Sequence, residues 1–291
     1  MNWETYANSL LAIILGLMQG CLEWVPVSSE AFLMIYLIAV IKLDPSTALA
    51  TSLLLHFSTM LTVLLFFKKE FKEAVNVLFN ALNRNKDNII RGKSVFKLLW
   101  TSLLGSAISG GAIYILYINL LAIVEESFLE FAGLVVLTLI GIAMIFTSLI
   151  MRKSFKGFKS LEDLNCMDGL LGGLIQGLAV IPGISRSGIT LTFFLYRRFK
   201  KEDALTCSFL IYAPAVALST SYYLLSGNIA NIVRNINGAF FFIAFISTFV
   251  ISLLTIKSFV YIAEKLSFSR FLSFFGLLIF LLNLSLLVSI I

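Results

Sequence analysis

Gln19-Gly20-Cys21-Leu22-Glu23-Trp24-Val25-Pro26-Val27-Ser28-Ser29-Glu30 and Gln176-Gly177-Leu178-Ala179-Val180-Ile181-Pro182-Gly183-Ile184-Ser185-Arg186-Ser187-Gly188 are two short polar breaks in otherwise apolar sequence. Each follows a near-identical lead, Gly16-Leu17-Met18-Gln19-Gly20 and Gly173-Leu174-Ile175-Gln176-Gly177, and each reaches a proline and a pair of serines. Residues 7–25 and 31–41 flank the first break, and 169–184 and 188–196 the second. A helix needs about 20 apolar residues to cross a bilayer, so the segments 31–41 and 188–196 are too short to span alone. Two helices meeting at a polar turn predict a re-entrant hairpin. Such irregular backbone is tolerated at membrane depth only where protein or a water-filled cavity surrounds it.

Outward from the breaks, the 291-residue chain is 59% hydrophobic and 13% charged. Apolar stretches recur at about 46–67, 98–123, 131–151, 204–226, 238–262 and 268–290. A β-barrel would show shorter segments of strict alternation, and none is present. The polar segment 68–97 carries Phe71, Val75 and Leu78 at the spacing of an interfacial amphipathic helix. Asp44 and Pro45 read as N-cap and first residue of the following span. The expected fold is an all-α integral membrane protein with about six transmembrane helices plus two re-entrant helical hairpins. It forms one polytopic domain over 1–291, with repeat halves of about 7–123 and 131–291.

Charge placement supports this topology. With both termini outside, the inside loops hold 18 of the 22 Lys and Arg, which is the positive-inside pattern. The net charge of +6 therefore reads as membrane orientation rather than nucleic-acid binding. The two hairpins enter from opposite sides, giving an inverted-topology repeat, and a Lys-x-Asp turn follows each (Lys42-Leu43-Asp44 and Lys201-Glu202-Asp203). Inverted repeats place their sites near the midplane, between broken helices. Glu23, Ser29 and Arg186 should thus converge on one cavity. Cys21, Cys166 and Cys207 lack metal-ligand spacing and read as apolar filler. The first residues lack the basic region of a cleaved signal, so the first apolar stretch is expected to remain.

Gly183, Ser185, Arg186, Ser187 and Gly188 read as an anion cradle. Glycines admit backbone N–H groups, serines donate hydroxyls, and arginine presents a forked cationic donor that matches phosphate. The bland alternative is an Arg186–Glu23 pair that only joins the hairpins. An intramembrane arginine is costly enough to make function the default. Gln19 and Glu23 share a helix face at i, i+4. Glu23 suits a divalent cation held with substrate phosphates, or a general base. Glu30 is either a second metal-ligating carboxylate or a residue at the cavity mouth. Ser28 and Ser29 donate to phosphate, attack it, or merely cap the next helix. His56, the only histidine, is either a hydrogen-bonded packing residue or an acid, base or nucleophile. Trp24 reads as packing, and the Phe-rich segments near 240–250 and 267–280 as lipid-facing bulk.

Together the breaks resemble the undecaprenyl-pyrophosphate phosphatase family of integral membrane proteins. Its first motif, (Glu/Gln)-Gly-x-x-Glu-Phe-Leu-Pro-Val-Ser-Ser, is matched by Gln19-Gly20…Glu23-Trp24-Val25-Pro26-Val27-Ser28-Ser29. Its second, Pro-Gly-x-Ser-Arg-Ser-Gly, is matched by all of 182–188. The resemblance implies hydrolysis of a polyprenyl diphosphate to the monophosphate and inorganic phosphate, with Mg²⁺ or Ca²⁺, in the plasma membrane with an extracytoplasmic site. It implies Glu23 as metal ligand or catalytic carboxylate. Ser29 would be a catalytic or phosphate-contacting hydroxyl. Ser185 and Arg186, with Thr190 nearby, would bind the diphosphate. The chain departs from the pattern at Gln19, which removes a charge. It also reads Glu30-Ala31-Phe32 where the family has Ser/Thr-Gly-His, so that Ser29, metal-activated water, Glu30 or His56 must take over. The expected partners are the lipid substrate, the bilayer and, as an option, a second copy in a homodimer. The rival reading is a polyprenyl-phosphate transporter or flippase without hydrolysis.

Overall fold

The computed structural model describes residues 3–25, 27–83, 90–121, 129–152, 157–181, 183–225, 238–265, 270, 273, 274 and 276–281. Pro26, Pro182, the acidic 125–126 pair and most of the expected span 268–290 lie outside the described residues. The described chain is helical, and its only strand-like contact is a single parallel bridge between Lys159 and Phe199. In order come α1 (Trp3–Leu22), α2 (Ser29–Ala39), α3 (Pro45–Phe66), α4 (Lys68–Asn83), α5 (Ile90–Leu121), α6 (Leu129–Met151), α7 (Cys166–Gly177), α8 (Arg186–Tyr196), α9 (Lys201–Leu225) and α10 (Gly238–Lys265). Four described helices, within α3, α5, α9 and α10, are long and apolar enough to cross a membrane. Shorter apolar helices accompany them. The protein is an all-α, multi-pass integral membrane protein.

Both breaks are helix–turn–helix units, and they are built alike. Ser28 caps α2 by accepting the Ala31 N–H at 3.3 Å, and Ser185 caps α8 by accepting the Gly188 N–H at 3.2 Å. A cap satisfies a helix-end donor that would otherwise be orphaned inside the protein. Each capped helix runs 11 residues. Each is then followed by a basic residue in the left-handed region, Lys42 (φ 64°) and Arg198 (φ 71°). The turns that match in the two halves are therefore these two, whereas Lys201-Glu202-Asp203 forms the first turn of α9. Gly183 supplies a positive φ of 96° in the second break, where a side chain would be strained.

Other boundaries follow local chemistry. Asp44 caps α3 by accepting the Thr47 N–H at 2.9 Å, with Pro45 at the helix start. α4 ends at Asn83, and α5 begins at Ile90, eight residues before the expected span. Arg91 reaches back to Glu70 (2.6 Å) and Glu73 (3.5 Å), so this basic segment ties α5 to α4. α7 lies along α5: a side chain at Gly173 would run into the Ser102 backbone, the close approach small residues allow between membrane helices. The Phe-rich start of α10 is only partly lipid-facing. Phe242 is exposed, but Phe240 is buried and Phe245 packs against Phe57 with centroids 6.3 Å apart. Trp24 is fully buried and meets Phe209 edge-on at 5.7 Å.

Candidate active site

The two breaks meet through Glu23 and Arg186. Glu23 follows α1, and its N–H still bonds the Gln19 carbonyl at 3.2 Å, so Gln19 and Glu23 share the face their spacing predicts. Its buried carboxylate accepts from both hairpins and from α3. Oε1 is ion-paired to Arg186 Nη2. Oε2 accepts from Ser29 Oγ at 2.8 Å and from Gln19 Nε2 at 3.1 Å, and His56 Nε2 lies 3.3 Å away. A carboxylate offers about four acceptor sites, and four groups converge on this one, three of them on Oε2.

Arg186 opens α8. Nη1 donates to the Ser208 carbonyl of α9 at 3.3 Å, and the guanidinium carbon stacks 3.9 Å above the Tyr212 ring. An arginine has five N–H donors, so these contacts leave three for a ligand. The adjacent serines separate by role. Ser28 is used as a cap, and Ser29 is free to aim its hydroxyl at Glu23.

The rest of the second motif is turned to holding the site together. The Ser185 hydroxyl and the Gly188 N–H bond each other, and Ser187 Oγ donates to the Val25 carbonyl at 3.2 Å, joining the two breaks. Thr190 Oγ1 donates to the Arg186 carbonyl at 2.8 Å and contacts Ser208 Oγ at 2.6 Å, tying α8 to α9. Gly183 shapes the turn. Arg186 is thus the member of the motif with donors to spare. Gln176, the counterpart of Gln19, stays away from the cluster. It donates to Ser106 Oγ (3.0 Å) and to the Ile211 carbonyl (3.1 Å).

Sequence reasoning offered His56 of α3 as an option and missed Thr59, Ser208 and Tyr212. His56 was the one visible signal, a lone histidine in an apolar span. Tyr212, Ser208 and Thr59 sit in apolar helices, and no motif marks them. Tyr212 shares a 2.6 Å hydrogen bond with Thr59 and donates to the His56 carbonyl at 3.2 Å.

The fit to a divalent cation rests on oxygen donors. Gln19 Oε1 is buried and has no hydrogen-bond partner, and Glu30, half-buried in the first turn of α2, lies within electrostatic reach of Glu23 and His56. Among the described residues no group of three or more His, Cys, Asp or Glu could hold a metal by itself. A hard divalent ion at this position would need substrate phosphates and water to complete its ligand shell.

A buried arginine with free donors, a hydroxyl aimed at a carboxylate and nearby oxygen ligands, all at the junction of two broken helices, place a polar cluster able to engage an anion inside an integral membrane protein. The model of the family described as "Bacitracin resistance protein BacA" matches residues 12–281, and the chain belongs to that family. Similar curated proteins carry the name undecaprenyl-diphosphatase. That of Methanothrix thermoacetophila is 32% identical over 271 residues, covering 93% of this chain and 95% of the relative. That of Methanococcoides burtonii is 32% identical over 92% of this chain and 95% of its own length. That of Myxococcus xanthus is 35% identical over 72% of this chain and 67% of its own length.

Proposed function

We propose that this protein is a membrane hydrolase that converts an undecaprenyl-type polyprenyl diphosphate to the monophosphate and inorganic phosphate, returning the lipid carrier to envelope glycan synthesis. The observation that carries the chemistry is the Ser29 hydroxyl donating to a carboxylate that is itself paired with Arg186. Nucleophile, base and phosphate-binding cation are thereby held in one cluster.

In the first step Ser29 Oγ attacks the terminal phosphorus. Its proton passes to Glu23 Oε2, the new Oγ–P bond forms, and the bridging P–O bond breaks to release the polyprenyl monophosphate. The free N–H groups of Arg186 face the non-bridging oxygens, where charge is concentrated during phosphoryl transfer. Glu23 gives the Ser29 proton to the departing phosphate oxygen, takes one from the water that attacks the phosphoserine, and passes it to Ser29 Oγ as the Oγ–P bond breaks and inorganic phosphate leaves. Glu30 and Gln19 Oε1, beside Glu23, would hold a Mg²⁺ or Ca²⁺ ion, which would supply further neutralisation of phosphate charge. The positive-inside charge pattern supports a site open to the extracytoplasmic side of the plasma membrane, with the two hairpins re-entering from opposite faces.

Transport without hydrolysis is less well supported, because binding alone does not call for a serine hydroxyl directed at a buried carboxylate. Purified protein in liposomes separates the two readings. Phosphate release from added polyprenyl diphosphate supports the hydrolase. Movement of the monophosphate between leaflets with no phosphate release would sink it.

A further inference from the structure

Four residues from four elements close a ring around the ion pair. Glu23 bonds Arg186. His56 of α3 faces Glu23 Oε2 with Nε2, while its Nδ1 donates to the Ser52 carbonyl at 2.7 Å and fixes the ring. Tyr212 of α9 donates its hydroxyl to the His56 carbonyl, and the Arg186 guanidinium carbon sits 3.9 Å from its ring centroid.

This ring bears on how Arg186 and Glu23 meet. A free arginine–carboxylate pair tends toward a bidentate fork, with two parallel N–H···O bonds. Such a fork would draw more of the guanidinium donors onto Glu23 and away from a ligand. Here the contact runs through one nitrogen and one oxygen. Glu23 Oε2 is occupied by His56, Ser29 and Gln19, so Arg186 has no second oxygen to take. The Tyr212 face and the Ser208 carbonyl hold the guanidinium plane, so it cannot turn to seek one.

We propose that His56 and Tyr212 are positioning residues that keep the Glu23–Arg186 pair open, single-bonded, so that Arg186 retains donors for phosphate. The proposal rests on the phosphate-site reading above and deepens it. His56 acts through Glu23, and Tyr212 through Arg186. Neither needs to touch the substrate.

The test compares Tyr212→Leu with Tyr212→Phe, and His56→Leu with His56→Gln, in full-length protein purified in detergent. Binding of inorganic pyrophosphate, steady-state phosphate release from polyprenyl diphosphate, and thermal unfolding are measured on each. Both leucine variants should weaken pyrophosphate binding and raise KM by about tenfold, the scale of a desolvated cation–π contact. Their kcat should change less, and the binding loss should remain when it is expressed per folded molecule. Tyr212→Phe keeps the stacking face and His56→Gln keeps an N–H for Oε2, so both should stay within about threefold of wild type. Leucine variants that bind pyrophosphate like wild type would overturn the proposal. So would losses that merely follow a fall in folded protein. If the wild type binds pyrophosphate but releases no phosphate from the lipid, the hydrolase reading fails, and the binding measurements still decide the positioning role.

Discussion

Removing one charge of the Glu23–Arg186 pair should cost stability, and removing both should restore it. The two side chains are 4% and 13% exposed, so each depends on the other for compensation. Breaking a buried pair from one side typically costs about 3–5 kcal/mol, while replacing both partners with neutral groups of similar volume is often close to neutral. The structure predicts an asymmetry. In Glu23→Gln, Arg186 keeps only the Ser208 carbonyl and its aromatic stack, so this variant belongs at the upper end. In Arg186→Met, Glu23 keeps its contacts with Ser29, Gln19 and His56, and the loss belongs at the lower end. For a chain of this length the range corresponds to a fall on the order of 5–8 °C in unfolding temperature. Thermal unfolding in detergent, followed by tryptophan fluorescence, reads it directly. The double variant should recover to within about 1 kcal/mol of wild type and remain inactive. Single losses that simply add in the double variant would refute the claim that the two residues compensate each other across the hairpins.

Other outcomes follow from the same geometry. Ser29→Ala should lower kcat by about 10³-fold or more while leaving KM and pyrophosphate binding near wild type, because the nucleophile goes and Arg186 stays; unchanged turnover would remove Ser29 from the chemistry. Chelation of divalent cations should abolish phosphate release, Mg²⁺ or Ca²⁺ should restore it, and Glu30→Gln should raise the concentration of metal required; a chelated protein at full activity would discard the cation. Asp168→Asn removes the fully buried partner of Arg197, bonded at 2.6 Å, and should cost about 2–4 kcal/mol of stability while activity per folded molecule is kept, since the pair lies outside the cluster.

The hairpins were legible because they violate the membrane's rules. Glu23, Glu30 and Arg186 are expensive in apolar surroundings, and glycine, proline and serine interrupt helices, so the breaks announced both a turn and a site. The i, i+4 relation of Gln19 and Glu23 also carried through. The division of labour between neighbouring serines was not readable. Ser28 and Ser29, or Ser185 and Ser187, are the same chemistry one or two residues apart, and only the helix start decides which one caps. The α3 and α9 wall was harder still. A tyrosine such as Tyr212 in an apolar span looks like packing until a guanidinium is seen resting on it. The start of α5 was placed late because Arg91, Lys93 and Lys97 put residues 90–97 with the polar segment before the span, whereas the helix of the span already includes them and Arg91 pairs with α4.

One measurement bears most directly on the proposed activity: phosphate release from a polyprenyl diphosphate by purified protein, run beside Arg186→Ala and Glu23→Ala. Wild-type release that disappears in both variants, while Asp168→Asn retains it per folded molecule, is the expected result. Well-folded wild-type protein that binds the lipid through Arg186 yet releases no phosphate would contradict the account.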